Sequence, residues 1–238
     1  MSESTVRIGL VLPDVMGTYG DSGNALILRQ RLRMRGIDAE IVEITLSDPV
    51  PDSLDVYTLG GAEDSAQRLA TRHLQRYPGL QKAAERGAPV LAICAAIQVL
   101  GHWYETSAGE RVDGVSMLDV TTSPQQTRSI GEVITRPLID GLTQPLTGFE
   151  NHRGGTALGS DARALGKVTH GVGNGVGDGH EGVVQGSVIS TYMHGPVLAR
   201  NPELADLLLA RAMDVDILPP LELAEVERLR KERLAVGR

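Results

Sequence analysis

Between residues 6 and 94 short apolar runs alternate with segments of helical spacing, and this alternation restricts the fold more than any other feature of the chain. "VRIGLVL" (6–12) precedes "GNALILRQRLRMRG" (23–36), whose apolar residues recur at helical spacing and stop at Gly36, a C-cap residue. "AEIVEIT" (39–45) and "LDVYTLGG" (54–61) read as two further strands. "DSAQRLATRHLQRYP" (64–78) reads as a helix with Asp64 or Ser65 near its N-cap and Pro78 at its end. A shorter helix then leads into "PVLAIC" (89–94). Strands separated by helices pair through right-handed crossovers, so the expected class is α/β: an open, mostly parallel sheet flanked by helices.

The second half has a different texture. "RVDGVSMLDVTT", "SIGEVITRP", "PLTGFEN" and "EGVVQGSVISTYMHG" are strand-like and separated by turn residues, so they either add antiparallel strands or complete the sheet. "NPELADLLLARAM" (201–213) is an amphipathic helix, and the charged segment 221–238 offers i,i+4 pairs such as Glu227/Lys231. That segment reads either as a solvated helix or as a docking element for a partner. With no internal repeat and no interdomain linker, the expectation is one domain over 1–213 and a charged, helical tail over 214–238.

Bulk properties exclude several classes of function. A net charge of −7 and 3% aromatics argue against a nucleic-acid surface. No window holds eighteen consecutive apolar residues, and the first apolar run is broken by Pro13 and Asp14, so neither a spanning helix nor a signal peptide is expected. A single cysteine forms no internal disulfide, which makes the cytoplasm the expected compartment.

That cysteine, Cys94, stands where a strand meets a helix, amid Ala92, Ala95 and Ala96. Two readings of this stretch stand side by side. An unpaired cysteine is commonly a small buried hydrophobe. A thiol on a strand-to-helix turn is also exposed at the sheet edge, with the helix N-terminus favouring its thiolate. A nucleophile needs a base, and among six histidines His152 and His194 each follow a strand-like run. His194, before Gly195 and Pro196, reads equally as a turn residue or as an imidazole brought to the edge where Cys94 stands. No histidine and acid spacing suggests a metal site. "LGKVTHG" (165–171) is not a P-loop, so activation of a carboxylate by ATP is not expected of this chain alone. The glycine-dense "HGVGNGVGDGHEG" (170–182) lacks the strand-to-helix context of a nucleotide loop and reads as a mobile loop or a set of turns.

Several segments carry a resemblance. "AICAAIQVLG" resembles the nucleophile turn of class I glutamine amidotransferases, with Gln98 in place, and "YTLGGAEDSAQ" resembles their glycine pair after the third strand. "TYMHGP" resembles the histidine segment of the cobyric-acid-synthase-like branch, which lacks the usual glutamate two residues on. "YGDSGN" (19–24), "GFENHRGG" (148–155) and the glycine-rich loop are together similar to the GatD-type glutaminase subunits of lipid II isoglutaminyl synthase.

The resemblance implies a flavodoxin-like sheet and a glutaminase in which Cys94 attacks the amide carbon of L-glutamine and His194 moves the proton. It implies oxyanion donors at the backbone N–H groups of Gly61 and Ala95. Gly60, Gln98 and Arg128 would contact substrate, Arg128 through the α-carboxylate, although by its surroundings it reads as a solvated loop arginine too; Asn151 and His152 would be accessory. It also implies a MurT-type, Mur-ligase-like partner that binds ATP and Mg and amidates the D-glutamate of the lipid II stem peptide, near the inner face of the membrane. Other readings are an amidotransferase for a corrinoid-type acceptor, a non-catalytic partner subunit, and a redox protein of the DJ-1 kind. Two departures from the family pattern lead to expectations. Alanines in place of the usual glycines at 92 and 96 suggest an altered elbow. The absence of an acid after His194 suggests that a partner supplies the carboxylate that orients it.

Overall fold

The βαβ rhythm of the first hundred residues becomes a parallel sheet in the computed structural model, which describes residues 5–236. Its elements are β1 (Val6–Val11), α1 (Gly23–Arg33), β2 (Ala39–Ile44), β3 (Val56–Leu59), α2 (Asp64–Arg76), α3 (Gly79–Glu85), β4 (Val90–Ile93) and α4 (Ala95–Leu100). Short strands follow at β5 (Trp103–Glu105) and β6 (Arg111–Asp113), then two long ones, β7 (Val120–Pro137) and β8 (Leu146–Leu158). The chain continues through β9 (Gly166–His170), β10 (His180–Glu181), β11 (Val183–Gln185), β12 (Val188–Thr191) and β13 (Met193–His194). It closes with α5 (Val197–Arg200), α6 (Pro202–Ala212) and α7 (Ala224–Ala235).

The first sheet has the order β11-β12-β4-β3-β1-β2, parallel throughout except for β11 at its edge. Every residue of β3, β4 and β12 is buried, as in strands covered on both faces, and only Thr58, Ser190 and Thr191 interrupt their apolar sequences. The second half of the chain does both things expected of it. β11 and β12 complete the first sheet, and the remaining strands build a second, mostly antiparallel sheet around the β7–β8 pair.

The chain passes between the sheets at one place. β12 runs parallel to β4 as far as Thr191, and two residues later Met193 and His194 pair with Glu150 and Phe149 of β8. The start of "RVDGVSMLDVTT" forms β6, while its end and "SIGEVITRP" share the single strand β7, whose register slips between Pro124 and Ser129. The bulge bends the strand and carries Arg128 toward the end of the first sheet.

The glycine-dense loop is a set of pinned turns. Gly171, Gly173, Gly175, Gly177 and Gly179 all have positive φ, a conformation that side chains disfavour. The Glu150 carboxylate accepts the N–H groups of Val172 and Gly173, each at 2.8 Å, and Asn174 pairs with Gly182 at 2.8 and 3.1 Å. The tail helix α7 packs on the body of its own chain. The buried Arg230 donates to the carbonyls of Arg200 and, at 3.0 Å, Pro145, while Arg233 reaches Glu132. Among the described residues no helix is long and apolar enough to cross a membrane.

Candidate active site

Strand β4 delivers Cys94 to the edge of the parallel sheet, and α4 begins with the next residue. Cys94 has φ 54° and ψ −111°, a strained conformation for a residue with a Cβ. The tight turn is thus made at the cysteine itself. Ala92 lies in β4 and Ala96 in α4, neither has a positive φ, and both are fully buried. The expectation of an elbow altered by these alanines is therefore corrected: their small size serves packing, and the positive φ falls elsewhere. The Cys94 N–H donates to the Thr191 carbonyl at 2.8 Å, which ties the elbow to the strand that leads to His194.

His194 is buried, with its Nδ1 3.1 Å from both carboxylate oxygens of Asp21. Asp21 comes from "YGDSGN", in the loop after β1, and its side chain is wholly enclosed. The expectation that a partner must supply an acid is corrected here, because the carboxylate comes from the same chain, 173 residues away. Burial opposes a charge on the imidazole, but the bond to Asp21 and the neighbouring Cys94 outweigh it and raise its pKa to about 10. Among the described residues His194 Nε2 has no hydrogen-bond partner, which leaves it available toward the thiol side.

Gly61 lies between the two side chains. A Cβ on it would stand 3.1 Å from His194 Cε1 and 3.3 Å from Cys94 Cβ. Its N–H, expected to face an oxyanion, instead donates to Asp21 Oδ2 at 3.0 Å, and its carbonyl accepts the Thr18 N–H at 3.2 Å. Ala95 opens α4, so its N–H has no intrahelical acceptor. Gly60, expected to contact substrate, is buried beside Gly61 and is not among the residues lining the cavity. It is glycine because a Cβ there would collide with the Met16 carbonyl of the folded-over loop.

Beside Cys94 a cavity of about 180 Å³ is lined by Ala95, Gln98, Arg128, Asn151 and His152, all nominated from the sequence. Arg128 donates to Asn151 Oδ1 at 2.7 Å and to the Tyr19 hydroxyl at 3.2 Å. Gln98 packs against Gly154, where a Cβ would overlap its amide. His152 is buried and fixed from three sides. Nδ1 lies 2.9 Å from the Gly154 carbonyl, the ring stacks on Tyr192 at 3.8 Å, and Nε2 is 3.6 Å from Glu150. Asp21, Tyr19 and Glu63 were not nominated from the sequence. The signal available for two of them was "YGDSGN", in which Tyr19 and Gly20 both take positive φ.

Residues 7–202 match the CobB/CobQ-like glutamine amidotransferase domain. Over 231 residues the chain is 34% identical to the GatD subunit of lipid II isoglutaminyl synthase (glutamine-hydrolyzing) from Staphylococcus aureus, covering 95% of this chain and 93% of the relative. The same subunit from Streptococcus pneumoniae is 30% identical, covering 97% and 89%. A cobyric acid synthase from Sphingopyxis alaskensis is 27% identical, over 72% of this chain but 34% of the synthase. Among solved structures, a glutamine amidotransferase superposes with a TM-score of 0.56 at 19% identity, covering 87% of this chain and 98% of the other. The glutaminase domain of Trypanosoma brucei CTPS gives 0.57 at 10% identity, covering 93% and 99%. The site geometry, the match over residues 7–202 and the near full-length likeness to two GatD subunits together mean that the chain belongs to the CobB/CobQ-like glutamine amidotransferase family, in its GatD branch.

Proposed function

We propose that this chain is the glutaminase subunit of a lipid II isoglutaminyl synthase, hydrolysing L-glutamine through Cys94 and passing ammonia to an ATP-dependent partner. The observation that carries the reading is the thiol on a strained strand-to-helix turn beside a buried imidazole held by an enclosed carboxylate.

Cys94 attacks the side-chain amide carbon as a thiolate, its proton having passed to His194. The carbonyl electrons move onto oxygen, where the Ala95 N–H meets the developing charge. The Gly61 N–H joins it on leaving Asp21. Collapse of the tetrahedral species breaks the C–N bond, and the His194 proton leaves with the nitrogen as ammonia. Water, deprotonated by His194, then cleaves the γ-glutamyl thioester and releases glutamate. Asp21 holds the imidazole in orientation throughout, and Arg128 pairs with the α-carboxylate, with Gln98, Asn151 and His152 shaping the wall.

The partner in this reading is a MurT-type, Mur-ligase-like synthetase. It binds ATP and Mg, activates the D-glutamate carboxylate of the lipid II stem peptide on the cytoplasmic side, and captures the ammonia to form D-isoglutamine. Likeness to GatD subunits over nearly their full length supports this acceptor over a corrinoid, since the cobyric acid synthase is matched over only 34% of its length. The test is glutamate release from L-glutamine by the chain alone and with the synthetase. Activity lost in Cys94→Ala supports the assignment, and activity retained in that variant rejects it.

A further inference from the structure

Three side chains from separate segments meet across the mouth of the cavity. The Arg128 guanidinium donates to the Tyr19 hydroxyl at 3.2 Å, and that hydroxyl donates to the Glu63 carboxylate at 2.9 Å. Arg128 and Glu63 themselves approach to 3.9 Å. Tyr19 is held in place for this with φ 69°, and its ring lies 4.9 Å from that of His194. One cation and one anion are thus fixed side by side, a few ångströms apart, above the nucleophile.

We propose that Glu63, positioned by Tyr19, recognises the α-ammonium group of glutamine, so that Arg128 and Glu63 together form a clasp for the head of a free amino acid. The proposal rests on the glutaminase reading above. The α-carboxylate and α-ammonium of an amino acid share one carbon, so the groups that recognise them must be neighbours of opposite charge. Arg128 and Glu63 meet that requirement. The other carboxylates of the wall do not: Asp64 is engaged by the N–H and hydroxyl of Ser107 at 2.9 and 2.5 Å, and Glu105 makes no ion pair with Arg128. Binding replaces the internal Arg128–Glu63 contact with two contacts to the ligand and leaves no charge unpaired. A glutamine residue within a peptide, or an analogue without the amine, leaves Glu63 facing no cation.

The experiment compares L-glutamine with glutaramate, the same molecule without its α-amino group, by ammonia release from the full-length chain in its active assembly. The wild type should prefer L-glutamine. Because Glu63 is two-thirds exposed, Glu63→Gln should raise KM for L-glutamine by only about tenfold. Its kcat should stay within about twofold, and kcat/KM for glutaramate should not fall, so that selectivity collapses. Glu63→Asp should recover part of that selectivity, and Tyr19→Phe should lose a few-fold of it. Equal losses on both substrates in Glu63→Gln would mark a merely structural role and overturn the proposal. So would selectivity that is lost in Glu105→Gln and retained in Glu63→Gln. A wild type that releases no ammonia from L-glutamine would reject the glutaminase reading itself, a result distinct from unchanged selectivity in an active enzyme.

Discussion

At the scale of single residues, Asp21 divides one carboxylate between two tasks. Both oxygens lie 3.1 Å from His194 Nδ1, and Oδ2 also accepts the Gly61 N–H. Asp21→Asn keeps the shape but removes the charge that sustains the imidazolium. We expect kcat to fall by about 10²–10⁴, the usual scale of an acid–base contribution, with KM changed little because Asp21 is outside the cavity wall. Steady-state ammonia release measures both. A second outcome concerns stability. The His194 pKa is raised to about 10 in the folded chain, above the roughly 6.5 of an unfolded histidine. Its contribution is therefore whole below about pH 6.5 and is lost as pH rises through about 10. Urea midpoints for the wild type should decline across that window relative to those of Asp21→Asn; a relative rise would contradict the assignment. The places of Cys94 and His194 at strand ends were legible in the sequence because each follows a short strand-like run. Asp21 was not, because its role depends on a contact made across 173 residues. The engagement of the Gly61 N–H was hidden for the same reason, since a backbone direction is set by the loop folded over it.

At the scale of elements, the parallel strands could be read because burial on both faces demands continuous apolar runs. The second sheet resisted because β7 carries the polar segment "SPQQTR" through its bulge, which splits one strand of 18 residues into two apparent ones. The same bulge places Arg128, so the irregularity that obscured the strand also builds the site. Behind it, Glu150 joins two elements: it accepts the Val172 and Gly173 N–H groups of the glycine loop and stands 3.6 Å from His152 in the cavity wall. In Glu150→Gln one carboxylate oxygen becomes an NH₂ donor facing an N–H, leaving a buried backbone donor without an acceptor. The expected cost is about 1–3 kcal/mol. For a chain of this length each kcal/mol lowers Tm by about 2–4 °C. Hydrogen exchange at residues 171–175 should accelerate while β3 and β4 keep their protection. Uniform acceleration would mean that the loop and the parallel sheet open together.

At the scale of the whole molecule, two sheets meet where the chain crosses from β12 to β13, and Cys94 and His194 come from opposite sides of that junction. Hydropathy could reveal strands but not how the two sheets would be apportioned, since β11 and β12 rejoin the first sheet from far along the chain. The proposed division of labour with a synthetase gives this architecture its sharpest test. If the chain's contribution is ammonia, then free ammonia should replace it without replacing the protein. Cys94→Ala keeps a small, buried-compatible side chain at the elbow, so docking on the synthetase should survive. In the assembled complex, glutamine-dependent amidation of lipid II should disappear, while amidation driven by a high concentration of ammonium chloride, with ATP, should proceed near the wild-type rate. Raising pH should favour the ammonia-driven reaction, because the free base and not ammonium is the nucleophile. Loss of both reactions in a complex that still assembles would mean that Cys94 supports the synthetase active site as well as its ammonia supply. Retention of glutamine-dependent amidation would mean that nitrogen leaves glutamine by a route that does not pass through this thiol.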